Sequence, residues 1–152
     1  MKKHALVIGS GVASTAYVSV LDFNKIKTSV IGSPYELKEI QNLKKNKKIK
    51  LFNLKFSNNI KFFFHNETQL INKKTINLII IGTNTKGIDW AINILKKLQI
   101  DCPILLLTKG IVKKKNKLLA ISKYIKTKCS NDRIVMAAGP CLAKELINRS
   151  HT

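Results

Sequence analysis

Arginine is almost missing from this chain: of 28 basic residues only Arg133 and Arg149 carry a guanidinium. Cysteine is scarce too. Cys102, Cys129 and Cys141 are odd in number and show no CxxC spacing, which argues against both a disulfide framework and a zinc site. The three histidines, His4, His65 and His151, are scattered. None is placed to activate Cys141 as a nucleophile, so that thiol reads as a small packing residue, and no metal site is expected. Long apolar runs are also absent. Lys or Asn interrupts each one before the roughly 20 residues a spanning helix needs. The apolar run before Gly9 is too short for a signal peptide, so the expected setting is cytoplasmic, with no membrane partner.

What is present fits one globular domain over residues 1–152, with no second domain. Apolar residues make up 45% and charged residues 24% of 152, near the norm for a packed core. The formal net charge of +20 invites a nucleic-acid reading, since basic side chains displace counterions from phosphates. Base-edge and bidentate phosphate recognition favour the planar fork of arginine, however. The lysines are spread along the whole chain, with runs at Lys44-Lys45-Asn46-Lys47-Lys48 and Lys113-Lys114-Lys115. Lys, Asn and Ile are abundant together, as AT-rich coding produces. The expectation is therefore weak polyanion affinity at low salt and no specific nucleic-acid partner.

Hydrophobic patterning predicts an alternation of strands and helices. HALVIG (4–9), 28–31, IKFFF (60–64), INLIIIG (76–82), PILLLT (103–108) and RIVMAA (133–138) read as strands, the apolar runs being short and, in the clearest cases, bounded by glycine. Helices are expected at 12–22, 35–43 (with Ser33 as cap and Pro34 in the first helical position), 85–98, 116–128 and 140–147, with a helical turn or two at 67–71. Residues 44–57 read as an irregular basic loop with a short extended piece at 51–56. The alternation implies an α/β fold, a doubly wound, mainly parallel sheet with helices on both faces.

Three turns carry chemistry. Gly9-Ser10-Gly11-Val12-Ala13-Ser14 lies between the first strand and the first helix, where a dinucleotide fingerprint belongs. Gly9 permits the tight turn and Gly11 lets a pyrophosphate approach the backbone. The helix N-terminus beyond offers free N–H groups and partial positive charge. The third glycine is Ser14. The second strand ends in Gly32-Ser33-Pro34-Tyr35 with no carboxylate before Glu36. Ser33 suits either cofactor and Lys38 suits a phosphate, so NAD and NADP both stay open. Lys109 follows the PILLL strand, at the edge where open α/β sheets bind ligands, and suits an anionic or carbonyl substrate. Gly139-Pro140-Cys141-Leu142-Ala143-Lys144-Glu145 follows the last strand on the same edge.

Taken together, GSGVASTA, Thr108-Lys109-Gly110, the AGPCLAKE segment 138–145, and Asn59-Ile60 before a strand resemble, in order and spacing, the N-terminal domain of NAD(P)-dependent glycerol-3-phosphate dehydrogenase. The resemblance implies a Rossmann-like domain that binds NAD or NADP for hydride transfer between sn-glycerol 3-phosphate and dihydroxyacetone phosphate. That is a reaction of glycerol phosphate metabolism and phospholipid biosynthesis. It assigns Gly9, Ser10, Gly11, Val12 and Ala13 to the fingerprint loop. Ser33 falls to the adenosine side, Lys109 to both cofactor and substrate, Gly139 and Cys141 to the substrate, and Ala143 to the cofactor. The departures are Ser14 for the third glycine, Ala13 for an aromatic, and Cys141-Leu142 for Ser/Thr-Phe. The family's helical domain, with its acid/base lysine, has no counterpart in 1–152. The expectation is a truncated enzyme or one part of a split one, with a separate C-terminal domain or a homo-oligomer as partner and slow or no turnover alone. The alternative is a non-catalytic dinucleotide-binding or regulatory module.

Overall fold

The β-branched, glycine-bounded runs form the sheet and the amphipathic stretches cover it. The computed structural model describes residues 3–114, 116–139 and 142–150. In chain order these form β1 (His4–Ile8), α1 (Val12–Phe23), β2 (Lys27–Ile31), α2 (Leu37–Asn46), β3 (Lys48–Ile49), β4 (Leu54–Lys55) and β5 (Ile60–Phe63). There follow β6 (Leu78–Ile81), α3 (Ile88–Leu98), β7 (Ile104–Leu106), β8 (Ile111–Lys114), β9 (Lys117–Ala120), α4 (Ile121–Cys129), β10 (Ile134–Met136) and α5 (Ala143–Asn148). Short 3-10 turns at Pro34–Glu36 and Thr85–Gly87 lead into α2 and α3.

Six strands pair in the order β10-β7-β6-β1-β2-β5, every pair parallel. Numbering these six in chain order gives 3-2-1-4-5-6 across the sheet, the doubly wound Rossmann order. The winding reverses between β1 and β6, where Ile8 lies opposite Ile81. Beyond those two strand ends the chain passes to α1 on one face of the sheet and to α3 on the other, the arrangement that opens a crevice at a topological switch point.

Side-chain alternation along the strands splits the core in two. Leu6, Ile8, Ile79, Ile81, Ile104 and Leu106 point to the face covered by α3 and α4. Val7, Val30, Ile60, Phe62 and Ile80 point to the other, where Val18 of α1 and Ile40 and Leu43 of α2 meet them. At the far, amino-terminal end of β1, His4 is buried. Its Nδ1 lies 2.7 Å from Thr75 Oγ1 and its Nε2 3.0 Å from Ser29 Oγ. The Thr75 hydroxyl donates to the Asn72 carbonyl, so it accepts from Nδ1–H and leaves Nε2 to accept from Ser29. That network suits a neutral ring. Burial, with the charge of Lys27 in second place, brings its pKa down to about 4.

Two stretches differ from expectation. The helix expected over 116–128 begins only at Ile121, because 117–120 pair with 111–114 as an antiparallel hairpin. Leu119 packs on the core while Leu118 is 67% exposed, a two-residue alternation that the apolar spacing of 118, 119, 121 and 125 disguises as a helical one. In the basic stretch 44–57, α2 continues to Asn46 and ends on Lys47 in the left-handed region (φ 51°). The β3–β4 ladder follows it. The last helix starts at Ala143; Pro140 and Cys141 lie outside the described residues. Among the described residues no helix is long and apolar enough to cross a membrane.

Candidate functional site at the carboxyl edge of the sheet

Every turn that leaves a strand of a parallel sheet opens on its carboxyl edge, so the three sequence motifs, which follow β1, β7 and β10, are delivered to one side of the molecule. The first turn is tight because Gly9 takes φ +104°, which an L side chain rarely adopts. A side chain there would also meet the Gly82 carbonyl group at 3.1 Å. Gly9 N–H donates to the Ile31 carbonyl and Gly82 N–H to the Ile8 carbonyl. The turn is thereby held between β2 and β6. The helix α1 then starts at Val12 with Gly11 as its N-cap, and its first turn carries neither a capping side-chain bond nor an acidic residue. Its leading N–H groups and positive dipole end therefore open on the crevice with no cap from the helix itself. The nearby negative charge is the carboxylate of Glu36, whose Oε1 lies 3.3 Å from the place a Cβ on Gly11 would take.

Ser14 stands where the fingerprint has its third glycine. It is fully buried, and its hydroxyl donates to the Gly82 carbonyl at 3.0 Å. A Cβ on Gly82 would overlap Ser14 Oγ. The close approach of α1 to β6 is thus kept by moving the glycine from the helix to the facing strand end.

The second and third motifs meet. Buried Thr108 donates from its hydroxyl to the Thr83 carbonyl at 2.6 Å, tying the end of β7 to the end of β6. The neighbouring Lys109 Nζ donates to the Gly139 carbonyl at 2.9 Å. Gly110 and Gly139 take φ of +113° and +132°, so both turns use glycine's freedom. A pocket of about 80 Å³ joins these groups to the first turn, with Ala13, Tyr17, Lys109, Gly139 and Ala143 among its walls. Gly9, Ser10, Gly11, Val12, Ala13, Lys109, Gly139 and Ala143 thus share one edge. Cys141 lies outside the described residues.

A larger cleft, about 660 Å³, opens on the other side of the α1 N-terminus, against Ser10, Gly11, Val12, Glu36, Lys38 and Phe52. Beside it, about 380 Å³ is enclosed by residues including Ser33, Glu36, Thr83 and Asn84. Glu36, which the sequence placed merely inside the helix, folds back. Its Oε2 accepts from Ser10 N–H at 3.2 Å and from Ser33 N–H at 2.9 Å. Thr83 also escaped the sequence reading, although its position directly after the β6 strand end was a usable signal.

Two buried hydroxyls along this crevice, Ser10 Oγ and Thr83 Oγ1, find no hydrogen-bond partner among the described residues. Unsatisfied buried polar atoms are costly in an empty fold and are satisfied when a polar ligand arrives. With the helix end that has no side-chain cap of its own and the tight glycine turn before it, they fit a dinucleotide.

Comparison with known proteins gives the same direction. Solved glycerol-3-phosphate dehydrogenases from Coxiella burnetii (22% identity, TM-score 0.77) and Plasmodium falciparum (18%, 0.79) superpose on 97% and 96% of this chain. A putative 2-dehydropantoate 2-reductase from Enterococcus faecalis superposes on 88% at 17% identity with a TM-score of 0.58. At such identities the superpositions show the shared Rossmann fold. The chain spans only 44%, 43% and 40% of those proteins. Among curated proteins, a search finds no match. The family is decided by sequence: the model of the NAD-dependent glycerol-3-phosphate dehydrogenase N-terminus matches residues 4–152. With its motifs gathered on one sheet edge and the match running from β1 to the last residue, this chain belongs to the NAD-dependent glycerol-3-phosphate dehydrogenase N-terminus family, whose cofactor is NAD(P).

Proposed function

We propose that these 152 residues are the dinucleotide-binding half of a glycerol-3-phosphate dehydrogenase acting in the cytoplasm, in glycerol phosphate metabolism and phospholipid synthesis. The substrate is a small phosphate, and the substrate's remaining contacts come from a C-terminal helical part or a partner chain. The observation that carries this reading is the convergence of Ala13, Lys109 and Gly139 on one pocket beside an uncapped helix N-terminus.

In this reading the N–H groups of Gly11, Val12 and Ala13 hold the pyrophosphate, with Gly9 keeping the turn tight and Ser10 N–H held by Glu36. Ser33 meets the adenosine end. Ala13 and Ala143 border the nicotinamide end, and Gly139 and Cys141 the substrate. The nicotinamide, when bound, gives or takes the hydride. Lys109 is the charge this chain brings to the reaction. Its ammonium is held by the Gly139 carbonyl at the pocket rim, from which it stabilises the oxygen on C2 of dihydroxyacetone phosphate as negative charge grows there. A donor so placed is typically worth about 10²–10³ in rate.

The experiment is an equilibrium titration of the chain with NADH, following nicotinamide fluorescence, with ADP-ribose as competitor. Saturable, competable binding supports the reading. Absence of saturation at millimolar NADH contradicts it.

A further inference from the structure

We propose that Glu36 selects the coenzyme, accepting from the adenosine ribose hydroxyls of NAD(H) and repelling the 2′-phosphate of NADP(H). This rests on the reading of the first turn as a dinucleotide site. No carboxylate stands at the end of β2 itself, where Ile31 is followed by Gly32, Ser33 and Pro34. The 3-10 turn over Pro34–Glu36 supplies one from further along the chain. Glu36 N–H bonds the Ser33 carbonyl, closing that turn and aiming the side chain back over β2.

The carboxylate is fixed by two backbone donors. The Ser33 bond is local, but the Ser10 bond crosses 26 positions of sequence and lands inside the glycine turn. Both donors go to Oε2. No donor among the described residues reaches Oε1, which stands 3.3 Å from the place a Cβ on Gly11 would take. Glu36 walls both the 660 Å³ and the 380 Å³ spaces, so a nucleoside lying along the edge from the α1 N-terminus passes its free oxygen.

A carboxylate oxygen accepts from vicinal hydroxyls and meets a phosphate as a like charge. Lys38 and Lys48 line the same cleft and favour phosphate, but both are exposed and their ammoniums are solvated on flexible stems. Glu36 is pinned. The fixed charge next to the ribose decides, because the mobile ones are screened by water and salt.

The test titrates the full chain with NADH and NADPH, and then with 5′-AMP and adenosine 2′,5′-bisphosphate, which lack the nicotinamide. The expected result is at least about tenfold tighter NADH binding, echoed by the two fragments. Glu36→Gln should shrink the ratio below about threefold, chiefly by tightening NADPH. If Glu36→Gln does not fold, as judged by circular dichroism, the wild-type ratio decides. NADPH binding as tightly as NADH, or a ratio unchanged in Glu36→Gln, overturns the selector while leaving the dinucleotide site standing. Failure of both dinucleotides to saturate overturns the two together.

Discussion

Lys109 donates to the Gly139 carbonyl oxygen across 2.9 Å, bridging the ends of β7 and β10 from positions 30 residues apart. The bond lies in the open and holds no core together. Lys109→Met is therefore expected to change unfolding free energy by no more than about 0.5 kcal/mol, with NADH affinity within about threefold of wild type. In a dehydrogenase completed by the helical part, the same change should lower turnover of dihydroxyacetone phosphate by about 10²–10³. Denaturant unfolding, NADH titration and steady-state assay check the three statements.

Ser14 and Gly82 form a matched pair. Gly82→Ala places a methyl group on Ser14 Oγ and should cost about 1–3 kcal/mol through overpacking. Ser14→Gly alone loses the bond to the Gly82 carbonyl and adds a helix glycine, costing about 1–2 kcal/mol. The double variant relieves the overlap. A double-mutant cycle by urea unfolding should show that the two costs do not add, with a coupling of about 1 kcal/mol or more.

His4 makes stability depend on pH. Its folded pKa is about 4 against an ordinary 6.5. The unfolded chain therefore takes up a proton below pH 6.5 that the folded chain refuses until about pH 4. The stability it contributes is complete above 6.5 and is lost progressively between those values, on the order of 2–3 kcal/mol. Asp89 and Glu67 are held below their ordinary values, first by bonds from Lys114 and Lys44 respectively. Their contributions are lost lower still, as pH falls through their folded pKa values. Urea unfolding at pH 7 and pH 5 should show the drop in wild type, and His4→Phe should flatten it.

The basic surface predicts salt-sensitive, sequence-blind attraction to polyanions. Filter binding to unrelated DNA duplexes should give equal affinities that fall steeply between 50 and 200 mM salt, as counterion release requires (about 10³–10⁵ for several phosphate contacts). A sequence preference surviving moderate salt would return nucleic acid to the list of partners.

The first turn, Lys109 and Gly139 were legible in the sequence because each lies in the turn just past the carboxyl end of a strand of the parallel sheet. The topology of a parallel sheet brings such turns to one edge without further information. Strands such as INLIIIG were legible because continuous β-branched residues suit a sheet buried on both faces. The β8–β9 hairpin was not. Leu118, Leu119, Ile121 and Ile125 fit a helical stripe, and only pairing with Ile111–Lys114 shows that 118 faces water. The role of Glu36 was hidden for another reason. Its reach to Ser10 depends on the 3-10 turn that brings position 36 back over β2, a tertiary relation that composition and periodicity do not encode.

The central claim is that the N–H groups of the first turn cradle a diphosphate at the edge shared with Lys109 and Gly139. Its most direct test is a titration of the 15N-labelled chain with NADH, followed by amide chemical shifts. The account predicts saturable shifts that are largest from Ser10 to Ser14, with smaller ones at Lys109 and Gly139. Shifts centred instead on the opposite edge, around Gln99, Asp101 and Ser130, or no saturable shift anywhere, would contradict it.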